Sequence, residues 1–397
     1  MAKKKKKSIG KFILYKILFV LVRFLNLFVW RYKRLNTYKI KKDETVVVVS
    51  NHQAFLDPMF VLLSFNKLLR PVATDNLLAG TFNSLFYGKF LGVIPKRKGA
   101  SDLKSTASML GAIQNGDSLL LFPEGNRAYA EFQFYIADNF ARFIKLLKST
   151  LIIFNIHGGF GCDPRWGNKK RRGRFEGGVK IVLKYEEYKD MDVEELTNII
   201  KENLRVYDSE SGELYKSNKK AEYLERMFFV CPKCGKMSTL TSEGNYIKCN
   251  NCDLEVEYHE DLSISSKDPS FKYHRLVEWY DYQKEYIRNM EINDDLIFYD
   301  EDVKLDIVNP FVKIKHVDRG DMKLYKDRLI VGGTTLFITN ILSASPMSGR
   351  KLCFTYDGNN YQLKGEKRFN ALKYALIFHK LDTKMHRENL DNYYNIN

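Results

Sequence analysis

A chain of 397 residues, 45% hydrophobic and 28% charged, has the length for two or three domains and the composition of a folded protein, not of a disordered or fibrous one. Its formal charge of +16 and pI near 9.3 exclude an acidic surface and point to an anionic partner: phospholipid, a phosphorylated substrate or nucleic acid. Six cysteines, four of them in two C-x-x-C pairs, argue for metal in a reducing compartment and against a disulfide framework.

The N-terminus carries lysines at every position from Lys3 to Lys7 and then a mostly apolar stretch, Phe12 to Trp30. This is too long for a signal peptide and lacks a small-residue cleavage site. A bilayer span needs about 20 apolar residues, so a span is possible by length. Lys16, Arg23 and Asn26, however, fall on one side of a helix, and Arg31, Lys33 and Arg34 follow it. A polar stripe and positive charge on both flanks favour a helix lying in the interface, or a re-entrant hairpin, over a span. In each case the lysines keep the N-terminus on the cytoplasmic face of the membrane.

From Thr45 the pattern alternates strand and helix. Strands are expected at Val46–Ser50, Pro71–Thr74, Gly92–Pro95, Ser118–Phe122, Leu151–Ile156 and Gly178–Tyr185. Helices are expected at Pro58–Phe65, Leu77–Phe90, Ser101–Ile113, Asn139–Leu147 and Val193–Leu204. Such alternation predicts an α/β domain with a largely parallel sheet, its functional loops gathered at strand ends. After the first strand come Asn51, His52 and, five residues past the histidine, Asp57. A carboxylate can fix the tautomer of a histidine and stabilise its imidazolium, as a general base requires. Alone, the pair reads first as a turn and a helix cap. A second stretch, Phe122-Pro123-Glu124-Gly125-Asn126-Arg127, again after an apolar strand, overturns that reading. Between Asp163 and Phe175 lies a basic loop with Arg165, Lys169, Lys170, Arg171, Arg172 and Arg174, open to reading as a solvated face or as a contact for headgroups or phosphate.

Cys231, Cys234, Cys249 and Cys252 form two knuckles around a hairpin with its turn at Glu243-Gly244-Asn245. Four thiolates suit tetrahedral zinc and leave no open position, so a structural zinc ribbon is expected. Cys162 and Cys353 remain as free thiols. Phe271–Met290 reads as a helical connector. The pattern then turns all-β, with strands expected at Leu296–Tyr299, Val303–Ile307, Val312–His316, Asp321–Tyr325, Arg328–Val331, Thr335–Ile338, Lys351–Tyr356 and Tyr361–Leu363, and a closing helix at Glu366–Leu381. This order resembles a pleckstrin-homology-like barrel in topology only, which implies lipid, membrane or protein binding. The expected organisation is a membrane-anchoring segment (1–44), an α/β domain (45–225), a zinc ribbon (226–258), a connector (259–292), the PH-like domain (293–385) and a tail (386–397).

Residues 46–204 resemble the glycerolipid acyltransferase family, whose bacterial type makes phosphatidic acid from lysophosphatidic acid. The resemblance rests on three blocks in order: the H-x4-D block from His52 to Asp57, Ile94-Pro95-Lys96-Arg97, and the F-P-E-G-x-R block from Phe122 to Arg127. It implies the family's α/β fold, His52 as general base, Asp57 as its partner, and an acyl thioester of coenzyme A or acyl carrier protein as donor. It implies a lysophospholipid acceptor whose phosphate meets Arg97 and Arg127, with Glu124 and Gly125 shaping that site. No serine or cysteine nucleophile is needed. Two departures stand out: Asn126 replaces a threonine, and the run Ile153–Gly159 lacks the proline usual in a fourth block. The other readings are acylation of a different alcohol such as a glycolipid, and a non-catalytic lipid-binding or scaffold protein. The intact blocks speak against the second. The ribbon is not especially basic, which argues against nucleic acid. The sequence is silent on oligomeric state.

Overall fold

In the computed structural model of the chain, the described residues are 20, 24, 26, 31–96, 103–131, 136–137, 139–347 and 350–381. The expected anchor before residue 31 therefore lies almost wholly outside the described residues, as do Arg97 and the tail from 382. Among the described residues no helix is long and apolar enough to cross a membrane. Asn26 is described, and its side chain is not simply polar surface. Its Nδ2 donates to the Tyr32 carbonyl at 2.8 Å and its Oδ1 accepts from the Tyr32 N–H at 2.8 Å, fastening the chain just before the first strand.

The first sheet has seven strands: β1 (Lys33–Arg34), β2 (Val46–Ser50), β3 (Leu69–Thr74), β4 (Ile94–Lys96), β5 (Ser118–Leu121), β6 (Thr150–His157) and β7 (Glu176–Leu183). Their order is β1-β7-β6-β2-β5-β3-β4. β6, β2, β5, β3 and β4 run parallel, and β7 is antiparallel to β6. Side chains of a strand alternate between faces, and here both faces are dry. Val46, Val48, Leu120, Ile152 and Phe154 belong to one buried cluster; Val47, Val49, Leu119, Leu121, Leu151 and Ile153 belong to another. The second face packs on the helices Leu103–Gln114, Asn139–Leu147 and Val193–Leu204 through Met109, Ala112, Ala141, Ile144, Leu196 and Ile200. The first packs on helix Asp57–Leu63 through Phe60 and Val61, and its core runs on into the rest of the chain. Each fully buried valine of β2 contributes roughly 1.5–3 kcal/mol of apolar burial, which is why four in a row make a central strand.

One expected helix is broken. Between β3 and β4 the chain forms a 3₁₀ turn at Asp75–Leu78, a single α-turn at Thr81–Asn83 and a π-turn at Ser84–Phe90. Gly80, at φ +82°, interrupts the run, a conformation open mainly to glycine.

The segment after residue 225 holds an antiparallel four-stranded meander: β8 (Leu240–Glu243), β9 (Tyr246–Cys249), β10 (Glu255–Tyr258) and β11 (Ile264–Ser265). The helix Leu276–Asn289 packs beside it, with Trp279 stacked on Phe228 at 4.1 Å. Buried Gln283 accepts the Phe229 and Val230 N–H groups and donates to the Met227 carbonyl, so the helix is bonded to the backbone just before the first cysteine.

The last sheet is an all-antiparallel meander of seven strands: β12 (Phe298–Ile307), β13 (Lys315–Leu324), β14 (Arg328–Val331), β15 (Thr334–Phe337), β16 (Ile341–Pro346), β17 (Lys351–Tyr356) and β18 (Asn359–Lys364). Their order is β15-β14-β13-β12-β18-β17-β16, and helix Ala371–Leu381 packs on β16 and β17. Three stretches differ from the sequence expectation. Asp300-Glu301-Asp302 reads as a turn, yet β12 runs through it on a bulge with Asp302 at φ +49°. Val317 to Gly320 reads as a break, yet β13 runs through it. Ser343 to Pro346 reads as a loop, yet it lies in edge strand β16, where a bulge and Ser343 at φ +56° absorb the irregularity and Pro346 ends the edge. The closing helix starts later than expected because Asn370 caps it, its Oδ1 accepting the Lys373 N–H at 2.9 Å.

Candidate active site and a four-cysteine cluster

Parallel strands deliver their following loops to one edge. β2, β5 and β6 are neighbours, so the stretches after Ser50, Leu121 and His157 meet there. Asn51 fastens two of them, its Nδ2 donating to the Ile156 carbonyl at 2.9 Å and its Oδ1 accepting the Ile156 N–H at 2.8 Å. His52 follows, its ring 19% exposed, with Nδ1 at 3.0 Å from Oδ2 of the fully buried Asp57. The same Oδ2 accepts the N–H groups of Gln53 and Ala54, each at 2.7 Å. The turn reading and the histidine-partner reading of Asp57 are thus both true. The carboxylate closes the Gln53–Ala54 turn, and that turn aims it at the ring.

Facing the carboxylate, Nδ1 carries the proton and Nε2 keeps the lone pair. Burial lowers the His52 pKa, Asp57 opposes that shift, and the Arg127 and Arg165 charges add to it. The balance keeps the imidazole neutral at neutral pH, the form able to take a proton.

The β5 loop wraps around this histidine. Glu124 is buried, and its Oε1 accepts the His52 N–H at 3.2 Å, while the Ala128 N–H reaches the His52 carbonyl at 3.0 Å. Glu124 thus bonds the backbone of the histidine. The Phe122 ring lies 4.6 Å from the His52 ring. Gly125 has φ +64° and nothing within 4 Å of a hypothetical Cβ, so the left-handed turn, not crowding, requires glycine. Arg127 donates from Nε to the Gln53 carbonyl at 3.2 Å and from Nη2 to the Asp163 carbonyl at 2.6 Å, with the Asp163 carboxylate 3.8 Å away. It ties three loops together. Burial lowers its pKa, opposed by Asp163.

Two roles here are not legible in the sequence. Asp163 holds Arg127 and also accepts the Phe55 N–H at 3.0 Å. In sequence Arg165 belongs to the basic loop, open to reading as a solvated face or as a contact for headgroups or phosphate; it is 5% exposed. It donates to the Arg127 carbonyl at 2.6 Å, to Asn126 Oδ1 at 3.3 Å and to the Pro346 carbonyl at 2.6 Å, with its guanidinium 4.1 Å from the centre of the Tyr129 ring. Asn126 in turn donates to Ser345 Oγ at 3.1 Å. The C-terminal sheet therefore braces the Glu124–Arg127 loop through β16. Arg171 is also buried, stacked on Tyr258 and bonded to the Lys220 carbonyl, so the charge of the 163–175 loop is partly structural. Buried guanidinium groups persist where carbonyls and ring faces replace water. Arg165→Ala leaves the Arg127 and Pro346 carbonyls without this donor, so it is expected to cost about 1–3 kcal/mol for each buried group. A lowered denaturant midpoint would register it; an unchanged midpoint would refute the bracing.

The four cysteines of the knuckles converge. Their Sγ atoms all lie within 4.8 Å of one another, with Cys231–Cys252 at 3.7 Å and Cys234–Cys249 at 3.8 Å. A tetrahedron with ~2.3 Å zinc–sulfur bonds has edges of about 3.8 Å, so the donor set fits a closed four-thiolate metal site. Asn251 and Thr239 present N–H and O–H groups to the Cys249 and Cys234 sulfurs, as thiolate ligands favour.

Comparison with known proteins adds the following. Among solved structures, the chain is similar to the 1-acyl-sn-glycerophosphate (LPA) acyltransferase PlsC from Thermotoga maritima, with 16% identity, 43% of this chain and 69% of that one covered, and a TM-score of 0.37. That likeness is too slight to carry an argument. No curated protein matches the chain. The family model described as Acyltransferase matches residues 33–153, a stretch that contains all three sequence blocks. The likeness to the acyltransferase family thus rests on residues 33–153.

Proposed function

We propose that the chain is a membrane-associated O-acyltransferase that moves a fatty acyl group from acyl-CoA or acyl carrier protein to the free hydroxyl of a lysophospholipid such as lysophosphatidic acid. The observation that carries this reading is the His52–Asp57 pair, with Nδ1 held at 3.0 Å by a fully buried carboxylate at the sheet edge where the Glu124–Arg127 loop arrives. Nε2 of His52 takes the proton of the acceptor hydroxyl as its oxygen attacks the thioester carbonyl. Asp57 stabilises the imidazolium that forms. The tetrahedral intermediate then expels the thiolate, which takes the proton from His52, and the ester is released. Arg97 and Arg127 meet the acceptor phosphate, since a guanidinium offers paired, always-charged donors. Arg127 would do this while also holding the Gln53 and Asp163 carbonyls. The bonds of Glu124 and Arg165 support the reading by keeping the histidine backbone and the Arg127 loop in one rigid unit.

The four cysteines hold a structural zinc in this reading, and the last sheet with its helix is a PH-like module. The long bulged β12, paired with both β13 and β18, supports that assignment. The expected site of action is the cytoplasmic membrane face.

The deciding assay offers a panel of lysolipids with acyl-CoA and with acyl carrier protein as donors; transfer to a phosphate-bearing acceptor is expected, and no transfer to any acceptor would sink the enzyme reading. The pH profile tests the base. Because the His52 pKa is lowered, the neutral form persists to lower pH than for a free imidazole, and the acidic limb of kcat/KM should fall below the ordinary 6.5. A limb above 6.5 would contradict it.

A further inference from the structure

The loop between β3 and β4 and the turn between β12 and β13 come from domains far apart in sequence, yet they form one surface. Ala79 bridges to Pro310, the Gly80 N–H donates to the Val312 carbonyl at 2.9 Å, and the Phe311 N–H donates to the Leu78 carbonyl at 3.0 Å. The Phe311 ring also approaches Gly88, within 3.0 Å of where a Cβ would stand. On the outer side of this junction Phe82, Leu85, Phe311, Val312 and Ile314 are between 45% and 76% exposed. Isolated exposed apolar side chains are ordinary; five converging from two domains mark a binding surface.

Charge identifies the occupant. Lys313 and Lys315 alternate with Val312 and Ile314 and are exposed. Neither residues 76–90 nor residues 307–317 contain an aspartate or glutamate. Aromatic and aliphatic tips set among lysines, on two segments that themselves carry no carboxylate, match the apolar and anionic layers of a phospholipid surface. Position agrees. The 75–90 segment leaves the same edge of the sheet as His52, with only β5 between β2 and β3. Two strand spacings are about 10 Å, so lipid held at this patch would lie beside the histidine.

We infer that the Phe82–Leu85 turn and the Phe311–Lys315 turn together form a docking surface that inserts into an anionic bilayer next to the site. This surface is distinct from the N-terminal segment, and docking does not depend on the chemistry of His52. The test uses the full chain carrying Phe311→Trp, with Phe337→Trp as the control, since Phe337 is 54% exposed on β15 away from the junction. Vesicles are phosphatidylcholine containing phosphatidylglycerol, with brominated acyl chains as quencher. The F311W emission should shift to the blue and be quenched several-fold more than that of F337W, for insertion of ~5–10 Å into the headgroup boundary. The same response is expected in the H52A background, so failure of docking and failure of acyl transfer are separable. Equal quenching of the two variants, or none with F311W, overturns the inference. Equal quenching on pure phosphatidylcholine overturns the anionic partner. A blue shift without vesicles, accompanied by self-association, would assign the patch to a second copy of the chain instead.

Discussion

Replacing His52 by alanine is expected to lower the rate of acyl transfer by roughly 10²–10⁴-fold, the usual contribution of a positioned acid–base group. Stability should fall by about 1.5–3 kcal/mol, since the partly exposed ring gives up one hydrogen bond to the buried Asp57 carboxylate. Asp57→Asn separates two jobs that one oxygen performs. The asparagine oxygen can still accept the Gln53 and Ala54 N–H groups, but it cannot stabilise an imidazolium by charge. A rate loss comparable to that of His52→Ala is therefore expected, with an added stability cost of about 1.5–3 kcal/mol from weakened charge-assisted bonds. Initial rates on lysophosphatidic acid, beside melting curves of both variants, provide the check. A His52→Ala enzyme that kept more than about a tenth of its rate would fall outside that range and remove the histidine from the chemistry.

The second large effect concerns the cysteine cluster. Cys231→Ser leaves three thiolates for a site whose four sulfurs stand at tetrahedral spacing. Loss of a structural metal belongs to the few changes that cost more than ~4 kcal/mol. The damage should spread, because Cys231 and Cys249 share a buried cluster with Phe228, Trp279 and the C-terminal sheet. The expected result is loss of bound zinc by elemental analysis and a lower first unfolding midpoint, reproduced in the parent chain by a strong chelator. A parent protein that carries no zinc and is indifferent to chelator would show that the cluster packs as plain thiols.

How legible was this protein before folding? The valines of β2 and the leucines of β5 announced buried parallel strands, because full burial on two faces leaves an unbroken apolar run. His52, Asp57 and the Glu124–Arg127 loop were visible because each follows such a strand. Arg165 was not. In sequence it is one of several cations in a loop, and only folding surrounds it with carbonyls and the Tyr129 ring. Strand β16 was hidden for a related reason. Ser343 to Pro346 has weak strand preference, and a bulge plus an edge position make it tolerable.

Local order, then, sufficed for what depends on neighbours along the chain: the alternation of strand and helix, the C-x-x-C knuckles, and a histidine five residues before its carboxylate. Tertiary structure alone decided what depends on approach between distant segments. It turned Glu124 to the His52 amide, Arg127 to the Gln53 and Asp163 carbonyls, and β16 to the loop at Asn126. The physical reason is that a buried polar group must find its partner wherever packing leaves one, and that partner can lie 219 residues away.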